Sequence, residues 1–169
     1  MIAILHNIRS IHNTASMFRT ADGAGVKKIY LTGITPSPLD KFERSIGQFT
    51  KVSLGAEDFV EWEKVKDINR VIKNLRAEGY KIIALEQSPK SVPYYKLPSF
   101  AKALEGKHAE VEKSKRICLI VGNEVRGLLK SVLEKCDKIL EIPMRGKKES
   151  LNVSVAFGIV AYELNRNKL

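Results

Sequence analysis

Ile117-Cys118-Leu119-Ile120-Val121, followed at once by Gly122-Asn123-Glu124-Val125-Arg126-Gly127, is the stretch whose reading decides the fold. Five consecutive apolar residues predict a strand covered on both faces, as in a parallel sheet packed between helices. The strand then breaks into a polar loop flanked by glycines. Lys138-Ile139-Leu140-Glu141-Ile142 repeats the pattern and opens into Pro143-Met144-Arg145-Gly146, with Ser150-Leu151-Asn152 shortly after. Strands that open into polar loops at the carboxyl edge of a sheet are where α/β proteins build ligand sites.

Outward from this stretch, strand and helix patterns alternate. Residues 2–5 predict a short edge or first strand. Asn13 is placed as an N-cap for a helix over 14–24, stopped by Gly25. Residues 28–31 predict a strand, and 32–39, with Gly33, Pro36 and Pro38, a loop. Weaker signals lie at 52–56 and 59–62. A helix is predicted over 67–78, with Ile68, Val71, Ile72 and Leu75 on one face and Gly79 at its end. Residues 80–85 give another buried strand, opening into Glu86-Gln87-Ser88-Pro89. Residues 89–116 are the least ordered-looking part, with three prolines and then a run dense in Lys and Glu. A short helix is predicted over 128–136. The final helix is predicted over 152–166, with Val153, Ala156, Phe157, Val160, Ala161 and Leu164 on one face. This alternation specifies an α/β fold with a mostly parallel sheet and helices on both faces. At 169 residues the chain is expected to form one domain over 1–169.

Composition narrows the partners. Hydrophobic residues make up 44% and charged residues 28%, as in ordinary globular proteins, but 29 Lys and Arg against 19 Asp and Glu leave a net charge of +10. That balance favours a polyanion such as nucleic acid over a surface that is merely soluble. No apolar run approaches the roughly 20 residues of a membrane span, and no secretory leader is legible. Cys118 and Cys136 read as reduced thiols, which points to the cytoplasm. His6, His12 and His108 share no ligand-like spacing, so no metal site is expected. No loop carries Gly-Lys-Ser/Thr, which excludes a P-loop nucleotide site.

A third element stands near the N-terminus, His12-Asn13-Thr14-Ala15-Ser16-Met17-Phe18-Arg19-Thr20-Ala21-Asp22-Gly23-Ala24-Gly25-Val26. Asn13 with Arg19, the loop from Gly122 to Leu128, and Ile142-Pro143-Met144 with Ser150-Leu151-Asn152 together resemble, in order, the three motifs of the SpoU (TrmH-like) family of RNA ribose 2′-O-methyltransferases. The resemblance runs nearly end to end along that family's catalytic domain. It implies S-adenosylmethionine as cofactor, tRNA or rRNA as partner and a homodimer. It also implies a deep trefoil knot formed by the chain from about residue 117 onward; the glycines at 122, 127 and 146 suit such close crossings. Many relatives carry an added N-terminal RNA-binding domain, whereas this sequence opens on the catalytic motifs.

The resemblance also assigns roles. Leu85, Gly122, Asn123, Gly127, Ile142, Met144, Ser150 and Leu151 would bind the cofactor, largely through backbone groups at strand ends. Arg19 matches the family's catalytic arginine. A guanidinium keeps its proton to a pKa above about 12, so a fork onto phosphate and the developing 2′-oxyanion suits it better than proton abstraction. Asn13 reads both as helix cap and as active-site amide. Glu124 is expected to orient Arg19 or Asn152, and Arg126 to meet either phosphate or Glu124. Ser150 is expected to touch cofactor or substrate, and Asn152 to cap the last helix and serve the site as well. Arg9, Arg126, Arg145, Lys147 and Lys148 are expected to contact RNA, with Lys27, Lys28, Lys41 and Arg44 adding attraction. Tyr94-Tyr95 read as packing residues or as stacking platforms, and 113–116 as a solvated charge run. A base methyltransferase of the same superfamily and a catalytically silent RNA-binding or ribosome-assembly factor are the alternatives. The first would want a carboxylate base, and the second would have lost Arg19 or the glycine loop.

Overall fold

The computed structural model describes residues 1–96 and 116–166. His108, residues 113–115 and most of the segment 89–116 lie outside the described residues. Among the described residues seven strands form one sheet: β1 (Ile2–His6), β2 (Lys28–Thr32), β3 (Glu61–Val65), β4 (Lys81–Leu85), β5 (Val92–Pro93), β6 (Ile117–Val121) and β7 (Lys138–Glu141). Their order across the sheet is β3-β2-β1-β6-β4-β7-β5, and every pairing is parallel. The helices are α1 (Ile11–Gly23), α2 (Gly47–Ser53), α3 (Ala56–Phe59), α4 (Ile68–Ala77), α5 (Lys130–Leu133) and α6 (Val153–Asn165).

The apolar runs form strands because both faces of the sheet are covered. Alternate residues of β1 and β6 go to opposite sides. Ala3, Leu5, Leu119 and Val121 join Phe18 of α1, Phe49 of α2 and Phe157 of α6 in one core. Ile2, Ile4, Cys118 and Ile120 meet Ile68, Val71, Ile72 and Leu75 of α4 in the other. Residues 2–5 are therefore no edge strand: β1 pairs with both β2 and β6. Among the described residues the edges are β3 and β5, and Pro93 of β5 lacks the N–H an interior strand would need.

Two helix boundaries differ from expectation. Helix α1 starts at Ile11, and its cap is Ser10, whose hydroxyl accepts the Asn13 amide at 3.2 Å; Asn13 thus stands one turn inside the helix. Helix α5 covers only 130–133, since Leu133 is followed by amides that bond back in tighter turns. Gly146 has open space around it and no left-handed φ, so it makes no close crossing. Asn152 caps α6, accepting the Ser154 amide at 2.8 Å, and Asp67 caps α4.

Candidate functional site

Because every strand runs the same way, all carboxyl ends open on one edge. There the ends of β4, β6 and β7, neighbours in the sheet, form a cleft of about 210 Å³. Its lining includes Leu85, Gly122, Asn123, Gly127, Ile142, Met144, Ser150 and Leu151, the whole set expected from the sequence. Glu86, Gln87, Glu124 and Glu141 also line it. Of these, Glu86, Gln87 and Glu141 were missed by the sequence reasoning. Glu86 and Gln87 directly follow a buried strand, the same signal that singled out Gly122.

The loop after β6 is held by contacts that a side chain would spoil. A Cβ on Gly122 would stand 2.7 Å from Leu128 Cγ and 2.8 Å from the Gly127 carbonyl carbon. Gly127 itself has φ +62°, where L-residues are strained. Asn123 ties the loop down, donating to the Asn7 carbonyl at 2.8 Å and accepting the Val125 and Arg126 amides at 3.0 and 2.9 Å. Glu86 fastens the loop to β4 by accepting the Leu128 amide at 2.8 Å.

Residues from all three motifs meet in one hydrogen-bonded chain beside the cleft. Glu124 accepts the Arg9 amide at 2.9 Å, the Ser10 amide at 3.0 Å and Asn13 Nδ2 at 3.0 Å. Asn152 Nδ2 in turn donates to Asn13 Oδ1 at 3.1 Å, while Asn152 Oδ1 accepts the Ser154 hydroxyl at 2.7 Å. Partial burial opposes the charge on Glu124, but the bonds from Arg9, Asn13 and Ser10 outweigh it and hold its carboxyl below the usual glutamate range. Glu124 therefore orients Asn13, and Asn152 only through it; it does not contact Arg19.

Glu124→Gln is expected to leave one acceptor among three donors, costing about 1–3 kcal/mol of stability at neutral pH. The carboxyl has a lower pKa folded than unfolded. Its contribution is thus complete above the ordinary glutamate range and is lost as pH falls through the depressed value. Denaturant melts across that window check this: the glutamine variant should lack that part of the acid-side slope.

Arg19 stands apart. It is exposed, makes no hydrogen bond or ion pair among the described residues, and does not line the cleft. Six residues along a helix place it roughly 9 Å from Asn13 along the axis and about 120° around it. Arg9, Arg126, Arg145, Lys147 and Lys148 are all exposed. Arg126 forms no ion pair with Glu124. Lys28 is not free to attract RNA: its ammonium meets Glu61 at 2.8 Å and Glu63 at 3.0 Å, and these bonds outweigh burial and raise its pKa. Tyr94 packs on the core and meets Tyr95 edge to face at 5.4 Å, so packing accounts for Tyr94 while Tyr95 remains exposed. Among the described residues no group of three His, Cys, Asp or Glu side chains is arranged to hold a metal ion, and no helix is long and apolar enough to cross a membrane.

Residues 1–162 match the model of the SpoU rRNA Methylase family. The chain is 30% identical over 172 residues to the tRNA (guanosine(18)-2′-O)-methyltransferase of Aquifex aeolicus, spanning 99% of this chain and 70% of that one. It is 31% identical over 170 residues to the 23S rRNA (guanosine-2′-O-)-methyltransferase RlmB of Neisseria meningitidis, spanning 100% of this chain but 59% of that one. Among solved structures, the A. aeolicus TrmH/SpoU tRNA modifying enzyme superposes with a TM-score of 0.78 at 29% identity, covering 99% of this chain and 74% of that one. The AdoMet-bound rRNA methyltransferase from Sinorhizobium meliloti gives 0.81 at 25% identity, covering 99% and 56%.

Proposed function

The chain belongs to the SpoU rRNA Methylase family, and from that premise we propose that it is an S-adenosylmethionine-dependent RNA ribose 2′-O-methyltransferase acting on tRNA or rRNA. The observation that carries this reading is the hydrogen-bonded chain Glu124–Asn13–Asn152, which joins all three motifs at the rim of one cleft. An alcohol acceptor suits that arrangement: the amides of Asn13 and Asn152 stand at the rim of the cleft that Ser150 lines, and Glu124, the carboxylate among them, is already engaged by three donors.

The cleft fits the cofactor by its chemistry. Leu85, Ile142 and Leu151 offer apolar walls for an adenine ring, and strand-end backbone groups offer fixed donors and acceptors. Glu86 and Glu141 add carboxylates to the lining, which would favour a cofactor that carries positive charge. When bound, the cofactor supplies an electrophilic methyl group. The protein's part is positioning: Asn13 and Asn152 hold each other and the loop carrying Glu124, fixing where a ribose hydroxyl lies against the cleft. Arg19, with Arg145, Lys147 and Lys148, binds phosphate, and Arg19 stabilises the charge developing on the 2′-oxygen.

The same reading takes residues 1–169 as one catalytic domain working in the cytoplasm, with its C-terminal part threaded as a trefoil knot. The sheet order supports that threading, since β4 lies between β6 and β7, both later in the chain. It also takes the protein as a homodimer. Most of the apolar faces of α1 and α6 are core, but Val155 and Tyr162 remain exposed on α6. Arg19, outside its own cleft, favours a pair in which it serves the partner's.

The test is methyl transfer from labelled S-adenosylmethionine to tRNA and rRNA, followed by digestion and mass spectrometry of the nucleosides. A methylated ribose is the expected product. A methylated base would favour the base methyltransferase, and RNA binding without transfer the silent factor. Sedimentation should give twice the chain mass at micromolar concentration; an active monomer would remove the dimer from the reading.

A further inference from the structure

At the carboxyl edge of β2 the chain enters a long loop over residues 33–46 before α2 begins. Its tip is a small closed hairpin, with Leu39 bridging Ser45 in antiparallel fashion. Asp40 holds the tip together. One carboxylate oxygen accepts the Phe42 amide at 2.8 Å and the Arg44 amide at 3.0 Å. The other accepts Arg44 Nε at 2.9 Å and Nη2 at 2.8 Å. Glu43 completes the turn with a left-handed φ of 59°. What this braced tip holds out is an aromatic ring. Phe42 is 62% exposed, with Lys41 Nζ 4.8 Å and the Arg44 guanidinium carbon 5.0 Å from its ring centroid.

Such a ring adds nothing to the core, yet the loop spends four bonds of one aspartate to present it. An exposed aromatic flanked by cations is the pair of elements from which proteins build sites for unpaired nucleic acid: the ring stacks on a base and the cations meet the backbone. The place is right for the substrate. The end of β2 lies on the same edge as the cleft, separated from β6 by β1 alone, so roughly 10 Å divides the two strand ends. Beyond the loop, Gln48 of α2 contacts His12 at 3.0 Å, the residue before Asn13. The loop therefore flanks the turn of α1 that carries the hydrogen-bonded chain. Charge favours a polyanion. Asp40 and Glu43 balance Lys41 and Arg44 at the tip, but the chain carries +10, and Lys41 pairs with no carboxylate among the described residues. Arg44, clamped by Asp40, braces the ring, while Lys41 rests on it by a weak exposed contact that a base can displace.

We infer that Phe42 is the stacking platform for an unpaired base of the RNA strand close to the target ribose, with Lys41 on the adjoining phosphate. This rests on the RNA methyltransferase reading above. The site takes any base, since every base offers a π-face, and so would set where along an unpaired strand the enzyme acts and not which nucleotide it modifies.

The test measures anisotropy of a short labelled oligoadenylate, alone and annealed to oligouridylate, with the full chain. Phe42→Ala should weaken binding of the single strand about 5- to 100-fold and of the duplex little. Its melting temperature and its S-adenosylmethionine affinity by calorimetry should match those of the unsubstituted protein. Phe42→Trp should keep the affinity, and its added fluorescence, over that of Trp62, should be quenched by the single strand. Unchanged single-strand binding in Phe42→Ala, an equal loss on the duplex, or an unquenched tryptophan overturns the platform while leaving the methyltransferase reading intact. A fall in sedimentation mass would make the loop a contact between copies and overturn it likewise. No binding of either RNA by the unsubstituted protein overturns the RNA reading and the platform together.

Discussion

Arg19→Ala is expected to abolish methyl transfer to RNA while leaving S-adenosylmethionine affinity nearly unchanged. The two halves of this result come from one observation: Arg19 is exposed and lines no part of the cleft. It therefore offers nothing to the cofactor in its own cleft, and toward a partner's cleft its proposed contacts are phosphate and the 2′-oxygen. Removing one donor aimed at a developing oxyanion typically costs about 10²–10³ in turnover, and loss of a phosphate fork adds to that. Arg19→Lys should fail nearly as badly, because an ammonium reproduces the charge but not the planar pair of donors. Calorimetry for the cofactor and single-turnover methyl transfer separate the two effects. A lysine variant with near-normal turnover would reduce the role to simple positive charge.

That Arg19 and the cleft stand apart was not legible in the sequence, although each was. Ile117–Val121 and the strand before Glu86 could be read because both faces of a parallel sheet demand continuous apolar residues. The cleft followed from them, since strand ends on one edge must converge. The faces of α4 and α6 were legible for the same reason, through their helical spacing. Motif order carries no such geometry. Asn13 and Arg19 lie six residues apart in the sequence and on different sides of α1. The start of α1 was misplaced because Ser10 and Asn13 are both good capping residues, and only the carboxylate of Glu124, more than a hundred positions away, decides what Asn13 does. Helix α2 gave almost no signal, as Phe49 and Ser53 are its only buried residues. Lys28 looked like a free cation until the sheet brought Glu61 and Glu63 alongside it.

Gly122→Ala is expected to abolish cofactor binding by moving a loop and not by filling the cleft. The added Cβ meets the Gly127 backbone at 2.8 and 2.9 Å, so the 123–128 turn must shift. Asn123, Gly127 and Glu124 shift with it, and two of the hydrogen bonds at risk, to Asn7 and Glu86, fasten that turn to β1 and β4. Overpacking of this kind costs about 1–3 kcal/mol, which lowers the melting temperature but leaves a sheet with two intact cores. Gly122→Val should act in the same way with a larger cost, by displacing the turn and not by plugging the cleft. Calorimetry should show no measurable heat with S-adenosylmethionine, and undiminished binding would misplace the cofactor. The variant also tests how the site is divided. If Arg19 serves the partner's cleft, mixing Gly122→Ala with Arg19→Ala builds mixed pairs in which one intact arginine faces one intact cleft. Two inactive proteins should then recover about a quarter of normal activity, since half the pairs are mixed and each holds one working site. If Arg19 serves its own cleft, every site in the mixture lacks a part, and no activity returns.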